Sequence, residues 1–259
     1  MKRYNIKNVI RFLRELLNCY RLQGNLLTAY GFLRSGHRPL TVKLSYHSMP
    51  FFARKEDWVA VKEVLVNDEY KCIEYLVFET QQPKILDLGA NIGTFALRVF
   101  KRFKNASVVS VEAAEDTYHV LKKNRDLNDK LDWTVFNFAV WGHDGPLRLS
   151  RKGSPVSHRV TSSTGDELVN GISLNTLLSK IHWDQVDLIK MDIEGSEESV
   201  VPISVDILNN TNYFLIEIHN DRIDGELIFD ILKDIYPYIQ KIDRMHSNKP
   251  LYLMSKKSI

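Results

Sequence analysis

Cysteine is nearly absent from this chain: Cys19 and Cys72 stand alone and far apart in 259 residues, with no C-x-x-C pair and no metal-type spacing. That excludes a disulfide framework and fits a reducing compartment. Long apolar runs are missing as well. Nothing approaches the roughly 18 apolar residues of a membrane span. Met1-Lys2-Arg3 is followed by Tyr4-Asn5-Ile6-Lys7-Asn8, which lacks the apolar core of a signal peptide. The expected location is cytoplasmic, with attachment at a membrane periphery as the variant to test. Charge of one sign is also scarce. The 35 Lys and Arg face 32 Asp and Glu, and a net charge of +3 gives no licence for a nucleic-acid partner. Prolines number only eight, and there is no low-complexity tract or internal repeat. What remains is an ordinary globular composition, 44% hydrophobic and 26% charged, long enough for one large α/β domain with extensions.

A third glycine is the most informative absence. Ile85-Leu86-Asp87-Leu88-Gly89-Ala90-Asn91-Ile92-Gly93-Thr94-Phe95-Ala96-Leu97 runs from an apolar strand through a small-residue turn into an apolar-periodic segment ending near Phe103. Glycine at 89 and 93 lets backbone approach a ligand, and the first N–H groups of the following helix point at whatever sits there. Val108-Val109-Ser110-Val111-Glu112 is a second strand ending in an acid, about 20 residues past the turn, where such folds hold ribose hydroxyls. A dinucleotide site wants G-x-G-x-x-G to close around a pyrophosphate. Gly89-x-x-x-Gly93 suits a smaller, carboxylate-bearing nucleoside instead. The alternative is a glycine turn used only for strand–helix packing.

Upstream, Ile6, Val9, Ile10, Leu13, Leu16, Leu17 and Tyr20 mark one face of a helix over residues 4 to 22, with Lys7, Arg11, Arg14 and Arg21 mostly off it. The reading adopted is a helix packed over the cofactor domain with its charges solvated; the alternative is contact with an anionic membrane surface or a partner. A second short helix is expected over 26 to 33, ahead of Ser35-Gly36. Leu40, Val42, Leu44 and Tyr46 alternate as a half-buried strand, and a helix capped by Asp57 runs to Val66. Arg54 between them is placed to meet a cofactor carboxylate or simply a surface acid. Residues 1 to 49 are expected to form an N-terminal helical extension and leading strand, and 50 to 259 the cofactor domain.

Beyond Glu112, a helix is expected over 116 to 128 and a third strand over 133 to 140, with Asn137 placed to read an adenine edge. Residues 146 to 170 are the least regular part, with short strand-like patches at Leu147-Leu149 and His158-Thr161. Arg148, Arg151, Lys152, His158 and Arg159 sit among Ser, Thr and Gly, as in an acceptor-recognising insertion or a surface excursion. A short helix over 174 to 181 leads into Val186-Asp187-Leu188-Ile189-Lys190-Met191-Asp192-Ile193-Glu194-Gly195. Strand alternation would put Asp192 and Glu194 on one side, and Ser196 would cap the next helix. Tyr213 to His219 ends likewise in Glu217 and His219. If these strands neighbour the glycine-turn strand, three carboxylates and an imidazole converge. A helix over 223 to 235 and an antiparallel pair, 238 to 242 with 251 to 254 around His246-Ser247-Asn248-Lys249, close the sheet.

These two stretches, with Phe52-Ala53-Arg54, Asp57, Glu69-Tyr70 and Glu217-x-His219, resemble the FkbM family of methyltransferases over about residues 50 to 220. The resemblance implies a doubly wound, Rossmann-like class I methyltransferase sheet, mostly parallel with a C-terminal antiparallel hairpin. It also implies S-adenosylmethionine-dependent O-methylation of a hydroxyl, on acceptors as varied as sugars, lipids and polyketides. The cofactor residues it points to are Asp87, Gly89, Ala90, Asn91, Gly93, Thr94, Glu112, Ala113, Asn137, Ala139 and Asp192. The chain departs from the family in having Ala113 where proline usually follows the acid, and Leu174-Asn175 where Leu-Asp is usual.

Methyl transfer to a hydroxyl needs donor and acceptor aligned within roughly 3–3.5 Å and a group to take the proton. Asp192, Glu194, Glu217 and His219 are the catalytic candidates, with His219 as base because imidazole titrates near neutral pH. The same four could bind a divalent cation. Against these stand a cofactor-holding or capping role for Asp192 or Glu194 and a core role for His219. A hydroxyl of a sugar, glycan or glycolipid is the expected acceptor; a polyketide or other metabolite is the alternative. A nicotinamide oxidoreductase is disfavoured by the missing glycine, and a nucleic-acid base methyltransferase by the acidic Asp192-Ile193-Glu194-Gly195. A non-catalytic cofactor-binding or membrane-docking adaptor would leave the four polar groups idle.

Overall fold

The computed structural model describes residues 6–34, 41–151, 159–243 and 249–258. Parts of the sequence reading therefore lie outside the described residues: the start of the N-terminal helix, Ser35-Gly36, Leu40, Lys152, His158 and the His246-Ser247-Asn248 turn. Two helices open the chain, α1 (Ile6–Gln23) and α2 (Leu26–Arg34), followed by strands β1 (Thr41–Tyr46) and β2 (Met49–Arg54). β1 buries Val42, Leu44 and Tyr46, as their alternation requires. It pairs antiparallel with β2, from Thr41 opposite Arg54 to Tyr46 opposite Met49. The expected boundary between 49 and 50 falls inside this hairpin, and Cys19, Phe32 and Val42 share one core cluster with Phe95 and Leu121. The extension is thus packed into the domain rather than hung on it.

The expected helix over 57 to 66 is broken into a 3-10 turn (Lys55–Asp57), α3 (Trp58–Val61) and a π turn (Lys62–Val66). Asp57 does not cap it with its side chain. The buried carboxylate instead accepts from the backbone N, Nε and Nη2 of Arg54 at 2.7–2.9 Å. Arg54 also meets Asp116 at 2.9 Å, so it serves protein acids rather than the cavity.

Next come β3 (Lys84–Leu88), α4 (Thr94–Arg102), β4 (Ser107–Glu112), α5 (Glu115–Asp126) and β5 (Trp133–Asn137). The chain then leaves the main sheet. The strand expected over 133 to 140 breaks at Phe138, and β6 (Ala139–Val140) belongs to a second, four-stranded sheet with β7 (Gly145–Ser150), β8 (Arg159–Thr161) and β9 (Glu167–Ile172). The strand-like patches of the least regular segment are thus strands of a small sheet, in which Leu147, Leu149, Val160 and Val169 face a core of their own. α6 (Leu174–Ile181), β10 (Val186–Met191), α7 (Glu197–Val200), α8 (Val205–Asn209), β11 (Thr211–Glu217), α9 (Gly225–Ile235), β12 (Tyr238–Ile242) and β13 (Leu251–Ser255) complete the order.

The main sheet has seven strands in the order β12-β13-β11-β10-β3-β4-β5. The five from β11 to β5 are parallel, and β13 joins antiparallel on β11 with β12 outside it. Parallel strands have both faces covered. Here one apolar cluster carries Phe95, Leu97, Leu121 and Trp133, and the other Leu177, Ile228, Leu232 and Ile189. Strand order reverses between β3 and β10, and the crevice at such a switch point is where ligands bind in open α/β sheets.

Glycine is obligatory at that reversal. Gly89 has φ +75°, and a Cβ there would lie 1.8 Å from the carbonyl oxygen of Asp192. The offending atom is backbone and cannot swing aside. Gly24 has a similar φ of +79° but open space around it. Gly24→Ala should cost about 1–2 kcal/mol for the left-handed backbone alone, whereas Gly89→Ala should cost at least about 3 kcal/mol because two strands must also part. Urea unfolding of both variants measures the difference; equal losses would mean the close contact is cheap to relieve.

Candidate active site

A cavity of about 310 Å³ opens at the switch point, between the carboxyl ends of β3, β4 and β10 and the small second sheet. Gly89, Ala90, Asn91 and Thr94 line it, with Glu112, Ala113 and Ala139. Phe138, Leu149 and Val160 supply an apolar wall, and Tyr70 and Phe95 line it too. The sequence reading missed this wall because nothing in the strand-like patches that carry Leu149 and Val160 says which part of the fold they face.

Inside the glycine loop, N–H groups are spent on the protein itself. Those of Gly89 and Ala90 donate to the carbonyl of Val111 at 3.0 Å, that of Gly93 to Ala90, and that of Ile92 to the Asn91 side chain. Asn91 sits at φ +50°, a conformation asparagine tolerates, and its N–H donates to Glu112 Oε2 at 2.9 Å. Glu112 Oε1 accepts from Ala114 N at 2.9 Å. Burial pushes the Glu112 carboxyl up to about 7 against the lowering effect of those two N–H bonds.

Three residues assigned to the cofactor do not line the cavity. Asn137 Nδ2 donates to the carbonyls of Glu112 and Ala113 at 2.9 and 3.0 Å, so its amide holds the loop that follows β4 instead of presenting itself to an adenine edge. Gly93 backs against Trp133, where a Cβ would come within 2.5 Å of the indole; its need is packing. Asp87 is fully buried below the floor, taking a hydrogen bond from Ser110 Oγ at 3.3 Å and an ion pair from Lys190 at 3.4 Å.

Lys190, which the sequence reading passed over, connects the two halves of the site. A lysine inside the apolar run Leu188-Ile189-Lys190-Met191 was the available signal. Its Nζ donates to the carbonyls of Gly89 and Leu88 at 2.9 and 3.3 Å and lies 3.9 Å from Asp192. Burial works against its charge, but Asp87, Asp192 and Glu217 outweigh that and hold the ammonium above its ordinary value.

The four polar groups at the ends of β10 and β11 do converge, because those strands are neighbours beside β3. His219 Nε2 lies 3.6 Å from Asp192 Oδ1, 3.3 Å from Glu194 Oε2 and 3.7 Å from Glu217 Oε1. Strand alternation is not what brings Asp192 and Glu194 together. β10 ends at Met191, and the chain turns through Glu194 at φ +56° and Gly195 at φ +100°. Ser196 does not cap the next helix with its side chain. Glu197 organises the turn, accepting from Gly195 N at 2.8 Å and Ile193 N at 3.2 Å and meeting His219 Nδ1 at 2.9 Å. Arg222 and, at 3.1 Å, Lys249 hold Glu194.

Asp192, Glu194 and Glu217 line the cavity, whereas His219 is fully buried behind them. Its expected titration near neutrality does not hold. Burial lowers it, but Glu194, Glu197 and Asp192 outweigh burial and push it up to about 10. With no cation beside it the ring is held protonated by those carboxylates and has no lone pair with which to take a proton, so the base is better sought among the carboxylates.

This sheet, with its site at the β3/β10 reversal, defines a class I methyltransferase fold. The family model for the methyltransferase FkbM domain matches residues 87–244. The chain belongs to the FkbM methyltransferase family. It is 26% identical over 206 residues to the hexuronic acid methyltransferase AglP of Haloferax volcanii, covering 77% of this chain and 81% of that protein. It is 32% identical over 193 residues to the methyltransferase sdnD of Sordaria araneosa, covering 61% and 72%. A solved FkbM methyltransferase from Methylobacillus flagellatus shares the fold with a TM-score of 0.52 at 16% identity, over 95% of this chain and 60% of that one.

The raised Glu112 carboxyl has a consequence for stability. A carboxyl whose folded pKa exceeds its unfolded value contributes stability that is complete below about 4.5 and lost as pH rises through about 7. The stability of the wild type relative to Glu112→Gln should therefore fall between pH 5 and pH 8. Urea unfolding at both pH values checks this; a pH-independent difference would mean that Glu112 ionises as freely folded as unfolded.

Proposed function

We infer that this chain is an S-adenosylmethionine-dependent O-methyltransferase whose acceptor is a saccharide hydroxyl. The observation that carries the reading is the chemical asymmetry of one cavity. Gly89, Ala90, Asn91 and Glu112 form one side, suited to a nucleoside's ribose, and Asp192, Glu194 and Glu217 the other, suited to a polyhydroxyl acceptor. The hexuronic acid methyltransferase named among the relatives supports a sugar.

In the proposed reaction the acceptor oxygen forms a bond to the methyl carbon as the carbon–sulfur bond breaks. The sulfur keeps that electron pair and becomes a neutral thioether, and the hydroxyl proton passes to a carboxylate. Asp192 is proposed for that role as the most open of the three, its side chain 26% exposed against 15% and 6% for Glu194 and Glu217. Transfer of labelled methyl into saccharide, lipid-linked saccharide and small-molecule pools tests the reading. Label should enter a saccharide fraction, and Asp192→Asn should lower kcat by about 10²–10⁴-fold. Label in no hydroxyl-bearing pool contradicts the function, and an unchanged kcat contradicts the role of Asp192.

A lipid-linked acceptor is favoured by the outer face of α1 and α2. Of the stripe marked in the sequence, Leu16 packs against the core and the rest lies open. Ile6, Ile10, Leu13, Leu17, Leu26 and Leu27 are all exposed, Leu27 by 82%, while Cys19 is the buried residue of α1. The first 34 residues hold seven Lys and Arg against one acid, Glu15, although the whole chain is only +3. Glu15 itself turns inward to Trp58 Nε1 and Lys62. An apolar stripe in a segment with an excess of cations complements an anionic lipid surface. No described helix is long and apolar enough to cross a membrane. Vesicle sedimentation should show binding to phosphatidylglycerol-containing vesicles but not to pure phosphatidylcholine. The binding should weaken with salt and vanish in Leu13→Glu/Leu17→Glu. Failure on both vesicles, or self-association that covers the face, overturns this docking.

A further inference from the structure

The geometry points to a divalent-cation site at His219 Nε2, Asp192 and Glu194, with Glu217 beside it. The imidazole is the telling group. It is fully buried, its Nδ1 is fixed on Glu197 Oε1 at 2.9 Å, and its Nε2 has no hydrogen-bond partner while three carboxylates face it. A buried polar atom left unpartnered is costly. Fixing one ring nitrogen on a carboxylate while the other points into a cluster of oxygens is how proteins orient a metal-binding histidine.

Spacing and charge agree. One donor atom from each of Asp192, Glu194 and His219 can be chosen so that all three lie within 4.8 Å of one another. Donors about 2.1 Å from a shared ion stand about 3.0 Å apart when adjacent in octahedral coordination and about 3.4 Å apart in tetrahedral coordination. The separations of 3.3 and 3.6 Å from Nε2 lie near those values, and no hydrogen bond joins either pair. Asp192, Glu194 and Glu217 all face that point, with Lys190, Arg222 and Lys249 among the cations that meet them, and three converging carboxylates favour a cation there.

One nitrogen with two or three carboxylate oxygens is a mixed, mostly hard donor set, between the preferences of Mg²⁺ or Mn²⁺ and those of Zn²⁺. The ion's place at the edge of the cavity would let it hold an acceptor hydroxyl and ease loss of its proton. That role rests on the methyl-transfer reading; the binding does not.

Titrating the metal-stripped full chain with Mn²⁺, followed by loss of the free-ion paramagnetic resonance signal, tests the site, with Mg²⁺ and Zn²⁺ as competitors. One ion per chain is expected. His219→Gln and Glu194→Gln should weaken binding at least tenfold. Glu197→Gln, which changes the group holding the ring and the turn without removing a proposed ligand, should weaken it about 10–100-fold. Circular dichroism checks that each variant folds. If His219→Gln does not, selective Mn²⁺ broadening of the His219 ring resonances in the wild type decides. An unchanged free-ion signal at millimolar Mn²⁺, or wild-type affinity in a folded His219→Gln, overturns the site. A chain that transfers methyl groups while binding no ion sinks the metal and spares the transferase. One that binds Mn²⁺ but transfers nothing does the reverse.

Discussion

The carboxyl ends of β3 and β10 approach each other until the Gly89 backbone rests against the Asp192 carbonyl, leaving no room for a side chain. Everything in the site depends on that contact. It turns the chain out of β3 early enough for Asn91 to reach Glu112, and it starts the turn that carries Glu194. Lys190 ties the contact from beneath by donating to the carbonyls of Leu88 and Gly89. Asn124, fully buried on α5, ties the far side, donating to the carbonyl of Ile92 and exchanging two hydrogen bonds with Phe52 on β2. The cradle is therefore held by strands, a lysine and an asparagine before any ligand arrives, which lowers the ordering cost of binding.

The second constraint is electrostatic. Buried charge persists only where it is paired and hydrogen-bonded. Asp87 and Lys190 meet under the floor, while Asp192, Glu194 and Glu217 crowd a buried imidazole at the cavity edge. Such a concentration of acids would be self-defeating in a purely structural core. Glu194 in left-handed backbone adds local strain at the same point. Strain and crowded charge at one rim of one cavity are what a reaction site requires and packing does not.

Several parts of this architecture are legible in the sequence because they rest on local rules. The strand–glycine turn–helix unit at 85 to 103 and the acid closing β4 follow from apolar runs and small residues. The convergence of Asp192, Glu194, Glu217 and His219 could be stated conditionally, since it needs only that two strands be neighbours. What the sequence hid are features set by distant partners. The β1–β2 turn uses His47 and Ser48 at φ +46° and +69° instead of an Asn-Gly pair, so no hairpin signal exists. Asn137, Asp57 and Ser196 carry familiar capping or recognition chemistry, but their neighbours divert it. The stripe on α1 is plain in the sequence, yet its periodicity does not say whether protein or solvent lies against it.

One nucleoside pocket, shaped by the Gly89–Asp192 contact and closed by Glu112, is the central claim. Calorimetric titration with S-adenosylhomocysteine tests it most directly, because on this account the product would fill the cradle without an acceptor or a cation. The account expects one site per chain, weakened at least tenfold by Glu112→Ala in protein that still folds. No heat from the wild type, or an affinity indifferent to Glu112, would contradict it.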